Sequence, residues 1–195
     1  MRVLGIQLGA PAARSISAPT LNAPDVTLRP WRTSDVPQLV AAGADQLIVD
    51  STSIPRWDAS TAEAWIEAQR LAALAGTGLC LAVCAPGDDE ALGGVQLKAP
   101  DWEELRSEAG YWLCEGARGR GLAFAAMREL VSYAHAELGV QRFELFIYPE
   151  NEPSRSLARR CGFKREALLD SYVIWEGKRD DMELWALVLD DVTAT

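Results

Sequence analysis

The feature that most constrains the fold is the segment GYWLCEGARGRGLAFAAMREL, residues 110–130, because its character changes halfway. It begins as an apolar run typical of a β-strand and then passes through a turn of alternating arginine and glycine. From Leu122 the apolar residues recur at helical spacing until Gly139, a residue type that commonly follows a helix end. This order predicts a β-α-β unit, whose second strand is RFELFIYPE, residues 142–150.

The rest of the chain places further strands and helices around this unit. The apolar runs LCLAVCAP and EALGGVQLKAP, and later SYVIWEG and DMELWALVL, are separated by short polar stretches, as in hairpins. A strand and two helices precede them, and a short helix in NEPSRSLARRCGF follows the β-α-β unit. We therefore predict an α+β fold: a mixed, mostly antiparallel twisted sheet of about seven strands with a central β-α-β unit and flanking helices.

Length and composition indicate one globular domain. The chain has 195 residues, of which 49% are apolar and 24% charged. We predict a flexible N-terminal arm at residues 1–24 and a single domain at residues 25–195. The formal net charge of −9 argues against a nucleic-acid partner, and it is compatible either with a cationic substrate or simply with solubility. No apolar run approaches the roughly 18 residues of a membrane-spanning helix, so we expect no membrane partner.

The cysteines and the single histidine point away from metal and triad chemistry. Cys80, Cys84, Cys114 and Cys161 show no paired CxxC spacing and have no neighbouring histidine. We therefore predict no metal site and a reduced, cytoplasmic setting. His135 is the only histidine and lies on the long predicted helix, which argues against a histidine-based catalytic triad.

The turn RGRGLA, residues 118–123, has the chemistry of an anion-binding site. Backbone N–H groups at the start of a helix lack intrahelical partners, and the helix dipole adds partial positive charge there. Glycines allow a phosphate to approach the backbone closely, and arginines add full charges. The turn lacks the Lys-Ser/Thr ending of a Walker loop, and Phe124 occupies the third glycine position of a GxGxxG motif. A tight turn with solvated arginines is the alternative interpretation.

Several motifs together resemble one family. RGRGLA matches the Q/R-x-x-G-x-G/A pattern of the GNAT acyltransferase superfamily, with Arg118, Gly121 and Ala123 at the defining positions. NEPSRSLARRCGF, residues 151–163, is similar to the N-x-x-S-x-x-L/V-A-x-x-x-G-F helix of the RimJ/RimL branch. LRPWRTSD, GYWL and GKRDDMELWAL are also similar to that branch in order and spacing, so the resemblance covers nearly the whole chain.

The resemblance implies the GNAT fold, with acetyl-CoA as cosubstrate in a cleft where EAGYWLCE and RFELFIY splay apart. A pantetheine arm carries amides, so it can pair with an exposed strand edge as a short strand would. The resemblance implies a set of residues that contact the thioester, the pantetheine and the pyrophosphate. They are Trp112, Leu113, Arg118, Gly119, Arg120, Gly121, Leu122, Ala123 and Asn151. Asn151 also suits a helix N-cap, and the two roles do not exclude each other.

Acyl transfer to an amine needs a base for the amine and a donor for the departing sulfur. Glu108, just before GYWL, is our candidate base, with a solvated strand end as the alternative role and Glu103, Glu104 or Asp170 as alternative bases. Many GNAT enzymes carry a tyrosine donor where this chain has Ala158. In the RimJ/RimL branch the motif serine has that role, and the serine at that position here is Ser154. The resemblance therefore implies that Ser154 donates a hydrogen bond to the sulfur; the alternative is that it only stabilises the helix. Tyr172 is the backup donor.

The resemblance thus implies an acyl-CoA-dependent N-acyltransferase that transfers acetyl to a primary amine, a protein N-terminal amine, by direct attack in a ternary complex. A small-molecule acetyltransferase for an antibiotic or a polyamine is one alternative. The missing tyrosine at position 158 keeps open a second one, a non-catalytic CoA-binding regulatory module. The residues that either line an acceptor pocket or belong to the core are Trp31, Trp57, Trp65 and Trp102. A homodimer through the C-terminal strands is a further hypothesis.

Overall fold

The computed structural model describes residues 14–52, 54 and 56–190. This part of the chain forms one sheet of eight strands with five α-helices. The strands are β1 Leu21–Ala23, β2 Val26–Pro30, β3 Gly78–Cys84, β4 Gly93–Asp101, β5 Arg106–Leu113, β6 Arg142–Ile147, β7 Lys164–Trp175 and β8 Lys178–Val188. The helices are α1 Val36–Ala44, α2 Gln46–Thr52, α3 Ala59–Ala75, α4 Leu122–Leu138 and α5 Glu152–Arg160.

The order of strands in the sheet is β1-β2-β3-β4-β5-β6-β8-β7. Neighbours are antiparallel except β5 and β6, which are parallel and are joined by α4. The predicted mixed, mostly antiparallel sheet with a central β-α-β unit is therefore confirmed. The sheet has eight strands instead of about seven, because the short strand β1 lies where the sequence showed no strand pattern.

Part of the predicted flexible arm packs on the domain. Residues 1–13 lie outside the described residues, but Ile16 is buried and its N–H donates to the Ala73 carbonyl oxygen at 2.8 Å. Leu21 pairs with Leu28, which adds β1 to the edge of the sheet. The prediction of an arm is therefore wrong for residues 14–24. Three residues are too short a strand to show a period-two pattern.

Helices cover the two faces of the sheet, and side chains along β5 alternate between them. Ala109 and Leu113 belong to the core cluster that contains the buried side of α4, and Tyr111 packs against that cluster. Trp112 belongs to a second cluster, with residues of α1, α2 and α3. We call these two sides the α4 face and the α3 face.

A buried carboxylate fixes α5 on the sheet. Glu183 of β8 is 4% exposed and accepts hydrogen bonds from Arg155 Nε at 3.0 Å and from Trp185 Nε1 at 2.9 Å. Its other oxygen lies 2.8 Å from Arg165 Nε on β7. Because Arg155 belongs to α5, this network holds the first turn of that helix in place beside the end of β6.

Candidate active site

The two central strands separate partway along their length. β5 and β6 pair at Arg106 with Arg142, Ser107 with Phe143 and Glu108 with Glu144, and no further. β5 nevertheless continues through residues 109–113 along β4, and β6 through residues 145–147 along β8. The facing edges of these two stretches carry backbone groups without a partner strand. The result is a V-shaped cleft that is closed at Glu108, as the resemblance implied.

The glycine turn lies at the open end of this cleft. Gly119 and Gly121 have φ values of 73° and 82°, a left-handed conformation that favours glycine. A Cβ built on either glycine meets no atom within 4 Å, so the space above the turn is open. The first main-chain hydrogen bond of α4 runs from Ala125 N–H to the Gly121 carbonyl oxygen, which leaves the amides of residues 122–124 without helical partners. These features fit a pyrophosphate group.

The two arginines of the turn differ in their surroundings. Arg118 is half-buried, its Nε donates to the Leu113 carbonyl oxygen at 3.1 Å, and its Nη2 pairs with the Asp45 carboxylate at the junction of α1 and α2. Arg120 is exposed and makes no ion pair with any described residue. Arg120 is thus the cation that is immediately available to an anion, whereas Arg118 would first have to leave Asp45.

Asn151 and Ser154 meet at the start of α5. Asn151 is the N-cap, because its Oδ1 accepts a hydrogen bond from Ser154 N–H at 3.1 Å. Its side-chain nitrogen has no partner among the described residues and remains available as a donor. Ser154 Oγ lies 3.0 Å from the hydroxyl of Tyr111 on β5. The sequence analysis missed Tyr111: it quoted GYWL, but only the fold brings residue 111 to residue 154.

Glu108 lies at the closed end of the cleft. It occupies the last paired position of β5, and alternation from Trp112 places it on the α3 face. Its carboxylate is 34% exposed and lies 3.0 Å from Lys98 Nζ. The neighbouring carboxylate of Glu144 is held by Arg142 Nε at 2.7 Å. Glu108 and Ser154 thus approach the cleft from opposite faces of the sheet.

The other candidate bases lie away from the cleft. Glu103 and Glu104 are exposed in the turn between β4 and β5, whereas the strands separate at the opposite end of β5. Asp170 is exposed on β7, the edge strand of the sheet. Glu108 is therefore the one of these four carboxylates that the fold brings to the point where β5 and β6 separate.

Tyr172 lies beside β6 on the α3 face. Its ring stacks on Phe146 with the centroids 5.2 Å apart, and Phe146 belongs to the stretch of β6 that has left β5. Tyr172 is 55% exposed. Because Phe146 alternates with the buried residues Leu145 and Ile147 of the α4-face cluster, Tyr172 lies on the face opposite to Ser154.

The predicted pocket tryptophans form a packed cluster instead of an open pocket. Trp31 stacks on Trp112 at 5.7 Å between centroids, and Trp57 and Trp65 pack against these rings. Trp102 lies elsewhere, where its Nε1 donates to the Gly76 carbonyl oxygen at 2.9 Å. The side chains of Trp112 and Leu113 are buried, and the backbone of these successive residues points alternately toward β4 and toward the cleft.

The cysteines and the histidine of the chain have structural surroundings. Burial raises the pKa of Cys80 to about 12 and that of Cys161 to about 11, which keeps both thiols protonated at neutral pH. His135 Nδ1 lies 2.9 Å from the Val140 carbonyl oxygen at the end of α4. The described residues contain no group of three or more histidine, cysteine, aspartate or glutamate side chains that could hold a metal ion. None of the described helices is long and apolar enough to cross a membrane.

Known proteins share both the sequence pattern and the fold. An uncharacterized N-acetyltransferase of Bacillus licheniformis is 29% identical over 170 residues, which cover 87% of this chain and 96% of that protein. The [ribosomal protein uS5]-alanine N-acetyltransferase of Escherichia coli is 30% identical over 84 residues, which cover 43% of each chain.

Solved structures agree on the architecture. RimL, the ribosomal L7/L12 alpha-N-protein acetyltransferase in complex with coenzyme A, matches with a TM-score of 0.79 at 21% identity, over 88% of this chain and 98% of its own. The microcin C7 self-immunity acetyltransferase MccE, in complex with acetyl-CoA and AMP, matches with a TM-score of 0.77 at 22% identity, over 86% of this chain and 94% of its own. Residues 25–164 match the acetyltransferase (GNAT) domain. The chain therefore belongs to the GNAT acetyltransferase family.

Proposed function

We propose that this protein transfers the acetyl group of acetyl-CoA to the N-terminal amine of a protein, by direct attack in a ternary complex. The observation that carries the proposal is the separation of β5 from β6 beside a glycine turn whose amides are free. The relative from Escherichia coli is named for acetylating a ribosomal protein, which supports a protein amine as acceptor.

The shape of the α3 face also supports a large acceptor. The cluster under α1, α2 and α3 contains no residue of β6, β7 or β8 among the described residues, so these helices leave that half of the face open. Tyr172, which stacks on Phe146 beside the cleft, and Glu166, which pairs with Arg142 of β6, are exposed there. A peptide N-terminus can approach Glu108 across this open surface, whereas an enclosed site would select a small amine.

The residues around the cleft divide the binding between them. The amides of residues 122–124 and the guanidinium of Arg120 hold a pyrophosphate at the helix start. The unpaired edges of β5 and β6, around Trp112 and Leu113, accept the amides of a pantetheine arm, and the side-chain nitrogen of Asn151 donates to the same arm. The chemistry that acetyl-CoA supplies when bound is an activated thioester.

The two candidate catalytic groups act from opposite sides. Glu108 takes a proton from the attacking amine, directly or through a water molecule, and Lys98 holds its carboxylate at the closed end of the cleft. Ser154 donates a hydrogen bond to the departing sulfur from the α4 face. One face of the cleft thus removes a proton from the amine, and the other stabilises the departing sulfur.

We also propose a cytoplasmic location, which the free cysteines support, since none of the four described cysteines forms a disulfide. A homodimer would use the edge strand β7, where the exposed side chains of Leu168 and Ile174 provide an apolar surface.

The experiment supplies acetyl-CoA with peptides that copy bacterial ribosomal-protein N-termini, with the same peptides blocked at the N-terminus, and with an aminoglycoside and spermidine. Thiol release and the mass gain of one acetyl group are measured. We expect acetylation of the free peptides only, and its loss in Glu108→Gln. Turnover on the small amines alone would contradict the proposed acceptor. Acetyl-CoA binding without turnover on any amine would instead support a regulatory module.

A further inference from the structure

One hydroxyl pair bridges the two sides of the cleft. Tyr111 lies on β5 beyond its last contact with β6, and Ser154 lies in the first turn of α5, which follows β6. Their hydroxyl oxygens are 3.0 Å apart. Ser154 is the only hydrogen-bond partner of the Tyr111 hydroxyl among the described residues.

The chemistry of the two groups favours one direction for this hydrogen bond. A hydroxyl offers one hydrogen and two lone pairs. The phenol is the stronger acid, with an ordinary pKa of about 10, so it is the better donor. Burial raises the pKa of Tyr111 further, which keeps it protonated through the neutral range. With Tyr111 as donor, the hydrogen of Ser154 is left for another acceptor.

We propose that Tyr111 is a positioning residue for acetyl transfer: its hydroxyl donates to Ser154 Oγ and so directs the Ser154 hydrogen toward the sulfur that leaves. This inference rests on the proposed function. The C–N bond forms and the C–S bond breaks, and the electron pair of the C–S bond stays on the sulfur. The amine proton goes to the base, the thiolate accepts the hydrogen bond of Ser154, and solvent protonates it after release.

Two features of this arrangement matter for the reaction. Neither hydroxyl gives up its proton, so the high pKa of an alcohol is no obstacle. Hydrogen bonds in a chain also polarise one another, which makes the Ser154 hydrogen a stronger donor than that of an isolated serine. In this chain the phenol reaches the site from β5. The position on α5 where many GNAT enzymes carry a tyrosine is occupied by the fully buried Ala158.

Tyr111→Phe tests the inference because it removes the hydroxyl and keeps the ring. Without the Tyr111 hydroxyl, Ser154 is no longer directed at the departing thiolate. We therefore expect kcat to fall roughly tenfold to a hundredfold, the range for losing a hydrogen bond to a charged group, while KM for acetyl-CoA changes less than about threefold. Ser154→Ala falls at least as far, and the double variant falls no further, because Tyr111 acts through Ser154. The matched control is Tyr133→Phe: its hydroxyl donates to the Ser17 carbonyl oxygen and contacts no residue assigned to the site, so we expect full activity.

A second readout needs no acceptor. The thiol of bound CoA is titrated by its thiolate absorbance, and we expect its pKa in the wild-type protein to lie about one unit below that in Tyr111→Phe. Equal thiol pKa values, an unchanged kcat, or an equal further loss in the Ser154→Ala background would each overturn the inference. A wild-type protein that binds no CoA would overturn the proposed function itself. If the wild-type protein binds CoA and acetylates peptides, the comparison with Tyr111→Phe tests the role of Tyr111 alone.

Discussion

Two glycines in the turn offer a test in which strain and ligand binding can be separated. Gly119 and Gly121 have left-handed φ values of 73° and 82°, and a Cβ at either position meets no protein atom within 4 Å. Gly87, between β3 and β4, has the same φ of 73°, and Gly177, between β7 and β8, has a φ of 81°. A Cβ there also meets nothing. The chain therefore contains a matched control for each glycine of the turn.

Alanine at each of these positions has the same backbone cost. A non-glycine residue in the left-handed region costs about 1–2 kcal/mol, and no clash adds to it here. For a domain of this size, 1 kcal/mol corresponds to roughly 2–4 °C in Tm. We expect Gly119→Ala and Gly87→Ala to lower the free energy of unfolding by similar amounts, and likewise Gly121→Ala and Gly177→Ala.

The same four variants should differ in their affinity for acetyl-CoA. At Gly119 and Gly121 the added methyl group enters the open space that a pyrophosphate would occupy, so we expect a loss of about tenfold, or about 1.4 kcal/mol. At Gly87 and Gly177 we expect no loss. Denaturant unfolding gives the stabilities, and calorimetric titration with acetyl-CoA gives the affinities. Equal affinities across all four variants would refute the assignment of the turn as the pyrophosphate site.

Three further predictions concern residues around the site. Asp45→Asn should tighten acetyl-CoA binding up to a few fold, since it frees Arg118 from a half-exposed ion pair; weaker binding by titration would contradict this. Glu183→Gln should lower the free energy of unfolding by about 2 kcal/mol, because the buried carboxylate has three charged or N–H partners, whereas Glu166→Gln at an exposed pair should cost less than about 1 kcal/mol. Equal losses in denaturant unfolding would show that the Glu183 network does not anchor α5. Because the pKa of Cys161 is raised to about 11, its alkylation at pH 8 should be about a hundredfold slower than that of a free thiol and should accelerate with rising pH. Alkylation at the rate of a free thiol, followed by peptide mass spectrometry, would contradict the raised pKa.

The parts of the site that depend on local chemistry could be predicted from the sequence. The alternation of Arg118, Gly119, Arg120 and Gly121 between an apolar strand and an apolar helix indicates both the β-α-β unit and an anion site, because backbone conformation and charge are properties of adjacent residues. Asn151 as a helix start follows from the same kind of reasoning.

The parts that depend on contacts between distant residues could not be predicted in this way. Arg118 pairs with Asp45 across 73 positions, and Tyr111 meets Ser154 across 43. Such pairs are set by where the strands separate and how α5 docks, and neither leaves a periodic signal. The prediction of a flexible arm was wrong at residues 14–24 for a related reason. Ile16 packs in the core beside Ala73 of α3 and donates a backbone hydrogen bond to it, and this contact joins residues far apart in the sequence.

The most direct test of the central claim follows the backbone amide resonances of the protein during titration with acetyl-CoA. The site described above predicts that the largest shifts occur at residues 119–124, with further shifts along residues 109–113 and 145–147 where the strands have separated. Large shifts confined to the β7–β8 hairpin or to the C-terminal half of α4, with the glycine turn unchanged, would contradict it.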